Sequence, residues 1–130
     1  MKMRWFVLIL SILPFIYTGL SCVAYRFDQL RQHEAQKDDV ALIRFLENSK
    51  DGYIRAQAAQ SLGRLKSKKA VPSLIKALHD TEWEVRLYSA EALGKIGDAR
   101  GIEAVRDHIG KEEEEHVIRA MKKVLENAKL

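Results

Sequence analysis

The sequence has few of the residues that organise several classes of small protein. Its 130 residues include one cysteine, two prolines and seven glycines. A single cysteine excludes an internal disulfide framework and leaves no Cys/His zinc pattern. So few prolines and glycines disfavour a loop-rich β-sandwich, and a chain that is 47% apolar is not disordered. One small domain, rich in residues that favour helix, remains.

Charge is absent from twenty consecutive residues near the N-terminus, Trp5 to Ala24. As a helix they would span about 30 Å, the thickness of the apolar core of a bilayer, and membrane helices tolerate a proline such as Pro14. Residues 1–24 are therefore predicted to be a transmembrane anchor or signal segment. Because Lys2 and Arg4 precede the segment, we expect the rest of the chain on the periplasmic or extracytoplasmic side of a bacterial inner membrane. No nucleic-acid partner is expected there.

Three fates of this N-terminal segment are open from the sequence. It could be retained as an anchor, or cleaved after Ala24 to release a soluble form. Ser21-Cys22 also resembles the end of a bacterial lipoprotein signal, in which Cys22 would be lipidated, although Gly19 stands where that pattern has leucine. Without processing, Cys22 would be a buried thiol in a membrane helix. All three fates place the folded domain on the same side of the membrane.

The stretch that follows the apolar segment is helix-prone but has few apolar residues. Within residues 25–38 only Phe27 and Leu30 offer obvious apolar anchors. This composition predicts a helical stalk or N-terminal cap. Asp38 and Asp39 suit the start of a helix, so the folded domain is predicted to cover residues 39–130.

An internal repeat of 31 residues organises the rest of the chain. Residues 40–70 align with residues 71–101, and a degraded third copy follows, so the predicted repeats are about 39–70, 71–101 and 102–130. Each copy has two stretches with apolar residues three and four apart, which predicts a helical hairpin. One hairpin cannot bury both of its sides, so we expect the copies to stack. The predicted core of the second copy consists of Leu74, Leu78, Val85, Ala90, Leu93 and Ile96.

The predicted fold class is thus all-α, a short α-solenoid of about three helical hairpins after an N-terminal hydrophobic helix. The second copy carries the pattern V-P-x-L-I-x-x-L from Val71, Asp80 after its first helix, Val85-Arg86, and A-L-G-K-I-G-D over residues 92–98. This sequence resembles the HEAT-like repeat of the phycobilin-lyase type. The resemblance implies stacked antiparallel helix pairs, with the first helices on the convex face and the second helices on the concave face.

Two arginines and one aspartate recur at repeat-related positions. Arg55 and Arg86 begin the second helices, and Asp80 lies in the turn six residues before Arg86. These residues are interpreted as a structural Asp/Arg ladder that ties the turns of adjacent repeats together. The alternative, a clamp for an anionic substrate, fits less well because the positions follow the repeat period.

Residues that carry chemistry do not form a recognisable set. His108, Glu112 and His116 share a four-residue spacing, but Gly110 is expected to interrupt the helix, and Glu112 to Glu115 are expected to form a solvated acidic turn. No nucleophile, base and orienting group come together, and no glycine-rich phosphate loop precedes a helix. We therefore predict no catalytic residues, no metal site and no cofactor.

Charged and aromatic residues are the better candidates for partner contact. Residues 52–79 contain six Lys or Arg and no acid, whereas residues 80–115 contain eleven acids and five basic residues, so the solenoid is expected to be polarised along its axis. Aromatic residues near turns are typical of interfaces. The candidate partner-binding residues are Tyr53, Lys66, Lys68, Lys69, Trp83, Leu87 and Tyr88.

These patterns predict a non-catalytic protein-binding adaptor, or an accessory subunit of a membrane protein complex, that presents its repeats outside the cytoplasm. The expected partner is a membrane or periplasmic protein, with the membrane itself bound through the N-terminal helix or a lipid. The alternative is a chromophore-handling or ligand-handling protein or chaperone similar to phycobilin lyases, which the resemblance suggests. Lyases of that kind resemble longer arrays that work in the cytoplasm.

Overall fold

The computed structural model describes residues 24–128, and every regular element within that range is helical. The first helix, α1, covers residues 24–35 of the described chain. The others are α2 (Asp39–Asn48), α3 (Gly52–Arg64), α4 (Val71–Ala77), α5 (Trp83–Ile96), α6 (Ala99–His108) and α7 (Glu115–Asn127). Short 3-10 turns, Lys68–Ala70 and Ile109–Lys111, precede α4 and follow α6. The all-α prediction is confirmed for this range.

The predicted N-terminal hydrophobic helix and its Cys22 lie outside the described residues, except that Ala24 belongs to α1. Within residues 24–128, no helix has both the length and the apolar composition needed to cross a bilayer.

Six of the helices form three hairpins, α2–α3, α4–α5 and α6–α7, which stack side by side. The first helices α2, α4 and α6 contact one another in order, and so do the second helices α3, α5 and α7. This arrangement is consistent with the predicted short solenoid. We call the contact between the first two hairpins the first junction and the contact between the last two the second junction.

Local sequence explains where the hairpin helices begin and end. The carboxylates of Asp38, Asp51 and Asp98 accept hydrogen bonds from backbone N–H groups in the first turns of α2, α3 and α6. Each thereby satisfies a donor that has no partner inside its helix. Helix α5 ends at Gly97, whose φ of 71° is the left-handed conformation that glycine adopts without steric cost.

The core is a continuous layer between the first and second helices. Five of the six predicted core residues of the second copy are fully buried or nearly so, and Ile96 is half-buried. Their equivalents in the other hairpins, including Leu42, Leu62, Val105 and Val117, are buried as well.

Helix α1 packs against α3 as part of the solenoid. Leu30 is buried in the core, and Glu34 accepts hydrogen bonds from Ser61 (2.8 Å to the hydroxyl) and from the Arg64 guanidinium. Helices α1 and α3 also end alike, since Lys37 and Lys66 both adopt positive φ and both donate to the carbonyl three residues earlier. Helix α1 therefore occupies the position of a second helix from a preceding, incomplete hairpin.

Two glycines allow the second helices to approach closely. A Cβ at Gly63 would lie 2.8 Å from the Ala92 Cα across the first junction. A Cβ at Gly94 would lie 2.8 Å from Cγ2 of Val124 across the second junction. Both distances are shorter than real contacts, so a Cβ at Gly63 would have to displace backbone, whereas a Cβ at Gly94 would have to displace a valine side chain.

Candidate interaction surface

An arginine from α3 connects the first two hairpins. The Arg55 guanidinium donates two hydrogen bonds to the Asp80 carboxylate, at 2.8 Å from Nε and 2.7 Å from Nη2. Its Nη1 also donates to the carbonyls of Ser49 and Lys50, in the turn that precedes α3. Burial raises the pKa of Asp80, but the hydrogen bonds from Arg55 and from the Glu82 backbone outweigh it, so the pKa lies below its usual value. We call this pair the first rung.

The second rung has the same design but a different acid. The Arg86 guanidinium donates to both carboxylate oxygens of Glu112, at 2.7 Å from Nε and 2.9 Å from Nη2, while its Nη1 donates to the carbonyls of Asp80 and Thr81. The expectation that Glu112 lies in a solvated turn is wrong, because its side chain is only 2% exposed.

Glu112 could have been found from the repeat. Asp80 follows Arg55 by 25 residues, and Glu112 follows Arg86 by 26. The inserted residue lies in the acidic turn and hides the correspondence. In both rungs the arginine is paired with a carboxylate of this chain. Arg55, Asp80 and Arg86 are therefore not available as an anion clamp in this structure.

Two histidines adjoin the second rung. The ring of His108, at the end of α6, meets that of His79 edge to face with centroids 4.6 Å apart, and its Nε2 lies 3.7 Å from a Glu112 oxygen. Among the described residues, the buried Nδ1 of His108 has no hydrogen-bond partner. Burial, followed by the neighbouring His79, lowers the pKa of His108. Hydrogen bonding by Arg86 lowers the pKa of Glu112 to about 2.

His116 does not join these histidines, because its ring packs on Trp83 with centroids 5.7 Å apart. Within residues 24–128, no three His, Cys, Asp or Glu side chains come together as a metal site would require.

The solenoid has two long edges of opposite charge. The turn edge, where each first helix turns into its second helix, carries mainly acidic residues: Asp51, Asp80, Glu82, Glu84 and Glu112 to Glu115. The loop edge, between successive hairpins, has an excess of basic residues: Lys37, Arg64, Lys66, Lys68, Lys69, Lys95 and Arg100. It also carries Glu34, Asp39 and Asp98, which pair with Arg64, Lys69 and Arg100, and Asp38. Charge therefore differs across the molecule, because the stacked hairpins bring all turns to one edge and all loops to the other. The polarity expected along the axis stays a prediction.

The aromatic candidates divide into exposed and half-buried residues. Tyr53 is 56% exposed and Trp83 is 38% exposed, and both begin second helices on the turn edge. Tyr53 lies beside Phe27 of α1, with ring centroids 6.0 Å apart. Leu87 and Tyr88 are half-buried and pack against the core. The exposed surface of this set is thus supplied mainly by Tyr53 and Trp83.

The lysine candidates lie together in the loop between α3 and α4. Lys66, Lys68 and Lys69 are all exposed, and the Lys69 ammonium is 3.8 Å from a carboxylate oxygen of Asp39. The structure places this loop on the opposite edge from Tyr53 and Trp83, so the predicted partner-binding residues form two separate surfaces.

A further concave surface, unnoticed in the sequence, lies between α1 and the outer side of α2. This groove has a volume of about 780 Å³. Its lining includes Arg26, Val40, Ala41, Arg44, Phe45 and Lys50. We call it the N-terminal groove.

Comparison with known families agrees with the stacked hairpins. Residues 40–126 match the family model described as HEAT repeats. The chain belongs to the HEAT-repeat family. A comparison with curated proteins gives no match. The matched HEAT repeats include α2 to α7 and leave α1 outside. HEAT repeats generally mediate protein–protein interactions, which is compatible with an adaptor.

Proposed function

We propose that this HEAT-repeat protein is a non-catalytic adaptor, or an accessory subunit, of a membrane protein complex, and that it acts outside the cytoplasm. The observation that carries the proposal is the pair of exposed aromatic residues on the turn edge, Tyr53 and Trp83. Large aromatic side chains supply much of the binding energy in protein interfaces, and here they stand on helices fixed by the rungs.

The repeat-periodic polar residues support a binding role rather than a catalytic one. Arg55 and Arg86 are each held by a carboxylate and by two backbone carbonyls, so their charges stabilise the stack. The exposed lysines of the α3–α4 loop offer a second surface, suited to an acidic region of the partner.

Membrane attachment is proposed from the N-terminal sequence. The apolar run from Trp5 to Ala24 leads directly into α1, whose Leu30 is part of the solenoid core. A retained anchor or a lipid on Cys22 would then hold the solenoid close to the bilayer, where a membrane protein could reach the turn edge.

The test is co-purification of the full chain from membranes in mild detergent, with intact mass measurement of every species that co-elutes. We expect a protein companion in fixed stoichiometry with the wild type. Replacing both aromatic residues, Tyr53→Ala with Trp83→Ala, should reduce the recovered companion about tenfold or more, because each contributes at least about 1 kcal/mol to binding if it lies at the centre of an interface.

Lys122→Ala is the control, since Lys122 is also exposed but lies well inside α7 and not on the turn edge. It should retain the companion. A chain that elutes alone from native membranes, or that carries a small chromophore, would contradict the proposal.

A further inference from the structure

The outer side of α2 has no first helix packed on it within the described residues, although its sequence is suited to such contact. Ala41 and Phe45 of α2 are equivalent to Ser73 and Ala77 of α4 when the two first helices are aligned on their buried leucines, Leu42, Leu46, Leu74 and Leu78. Ser73 and Ala77 are both buried, and the Ser73 hydroxyl donates a 2.6 Å hydrogen bond to Glu47 of α2. The preceding first helix therefore covers this position in the second hairpin.

The same position is open in the first hairpin. Ala41 and Phe45 are half-buried, Phe45 against the core, and the neighbouring Val40 is 50% exposed. Helix α1 supplies a second helix in front of α2, and the N-terminal groove lies where the first helix of that incomplete hairpin would pack. The groove therefore has the position, and in Val40, Ala41 and Phe45 the apolar surface, that packing of one more helix needs.

The charges around the groove indicate what kind of helix fits. Arg26, Arg44 and Lys50 are exposed around it and, within residues 24–128, form no ion pair. The Asp38 carboxylate is already used, because it caps α2 and accepts a hydrogen bond from His33. In the second hairpin the covering helix presents a carboxylate, Glu47, to α4. Since Ser73 is equivalent to Ala41, a covering helix with a carboxylate at the same place would bring it beside Ala41, one helical turn from Arg44.

We propose that the N-terminal groove binds an amphipathic, acidic helix of a partner protein, in the position that a preceding first helix would occupy. The inference rests on the proposed adaptor function and specifies the chemistry of the partner. The residues of this chain that precede Asp28 contain no acidic side chain and include Lys2 and Arg4. Their charge repels the groove, so they do not match the occupant that it favours.

Two synthetic helical peptides of about 18 residues test the proposal, with the same leucine stripe and either glutamate or lysine on its flanks. Each is titrated against the full chain in neutral-lipid nanodiscs, and fluorescence anisotropy reports binding against empty nanodiscs. We expect the glutamate peptide to bind and the lysine peptide to bind at least tenfold more weakly. Arg44→Glu should weaken the glutamate peptide about tenfold, and Val40→Asp should abolish its binding.

The charge control is Lys122→Glu, an exposed position on α7 at the other end of the solenoid. It should change the affinity less than twofold. Equal binding of both peptides, no binding of either, or no effect of Arg44→Glu would overturn the proposal.

Two further measurements identify competing occupants. A wild-type dimer that becomes monomeric with Val40→Asp would assign the groove to a second copy of the chain. A cysteine introduced as Val40→Cys, with Cys22→Ser, that resists a thiol reagent in the monomer would show that another segment of the chain already covers it. Either result overturns the proposal.

A native companion that survives Arg44→Glu but is lost with Tyr53→Ala and Trp83→Ala would also overturn it, while the proposed function would stand.

Discussion

Each of the two junctions of this solenoid has one close contact at a glycine and one arginine–carboxylate rung. The junctions differ in how close the glycine contact is and in how deeply the rung is buried. At the first junction α3 and α5 are so close that Gly63 faces backbone, the Cα of Ala92. At the second junction Gly94 faces a side chain, Val124. The rungs differ in the opposite sense, because the carboxylate of Asp80 is 14% exposed whereas that of Glu112 is 2% exposed and has a histidine beside it.

The comparison indicates that the first junction depends on close helix packing and the second on a buried polar cluster. Glycine packing contains no titratable group, and the pKa of Asp80 in the first rung lies below its ordinary 3.8. The second junction contains His108, whose pKa is lowered from 6.5, so it responds to a milder acid. The third hairpin, which carries the weakest copy of the repeat, is therefore the part of the molecule whose attachment depends most on conditions.

Loss of an arginine from a rung should give the largest decreases in the free energy of unfolding among single substitutions. The more buried rung should give the larger decrease. Arg86→Ala leaves a buried carboxylate with only backbone donors, so we expect it to lower the free energy of unfolding by about 3 kcal/mol. Arg55→Ala leaves the more accessible Asp80 and should cost about 2 kcal/mol. Chemical denaturation of the full chain measures both. Arg119→Ala removes an exposed pair with Glu115 and should cost less than about 0.5 kcal/mol.

The glycine variants should show the reverse order, with the larger loss of stability at the first junction. Gly63→Ala forces α3 away from the backbone of α5, and we expect a loss of about 2 kcal/mol after the helix propensity that alanine gains. Gly94→Ala meets a valine methyl that can shift, so its loss should be below about 1 kcal/mol. Thermal unfolding of the two variants side by side tests this order. Equal losses would mean that the junctions are packed alike.

Acid should loosen the second junction before the first. The folded-state pKa of His108 is below its ordinary value of 6.5, so the stability it contributes is complete above about pH 6.5 and is lost as the pH falls toward the lowered pKa. The pKa of Glu112, lowered from 4.5 to about 2, adds a further loss below about pH 4.5. The hydrogen-exchange protection factors of α6 and α7 should therefore fall at mildly acidic pH, while those of α2 and α3 stay unchanged.

The groups that face His108 are His79, Glu112, Arg86 and Lys111, so the variant must leave them in place. His108→Gln should remove the change near pH 6 and leave the change below pH 4.5. The same acid response in wild type and variant would place the sensitivity elsewhere.

Smaller effects than those of the rungs and of Gly63 are expected at the loops that end the second helices. Lys66 and Gly97 hold equivalent left-handed positions, with φ of 50° and 71°. Lys66→Gly should therefore stabilise the chain by about 0.5 kcal/mol, whereas Gly97→Ala should destabilise it by about 1 kcal/mol. Differential scanning calorimetry can resolve the two signs. A destabilised Lys66→Gly variant would mean that the lysine side chain makes contacts that outweigh its backbone strain.

Several features could be predicted from the sequence because they repeat or have a period. The 31-residue spacing indicated the hairpins, and the apolar periodicity identified Leu74, Val85 and Leu93 as core. The spacing of Arg55 and Arg86 indicated a structural ladder, although it did not identify its second acid. Such patterns indicate which face of a helix is buried, and each copy of the repeat shows the same pattern.

Other features had no such pattern, or had one that an inserted residue hid. Glu112 stood among four consecutive glutamates, and only the register of the third hairpin selected it as the partner of Arg86. Leu30 and Glu34 stood in a polar stretch, and only the packing of α1 on α3 made them part of the solenoid.

The sequence by itself determined the helical class, the repeat, the hairpins and the buried stripes of this protein, because each follows from local periodicity and short-range preference. The tertiary structure decided which charged residues pair in the rungs and which face of α2 is uncovered. It also decided that acidic side chains predominate on one edge and basic side chains on the other. Those outcomes depend on how far one hairpin is shifted and rotated against the next, which local periodicity does not specify.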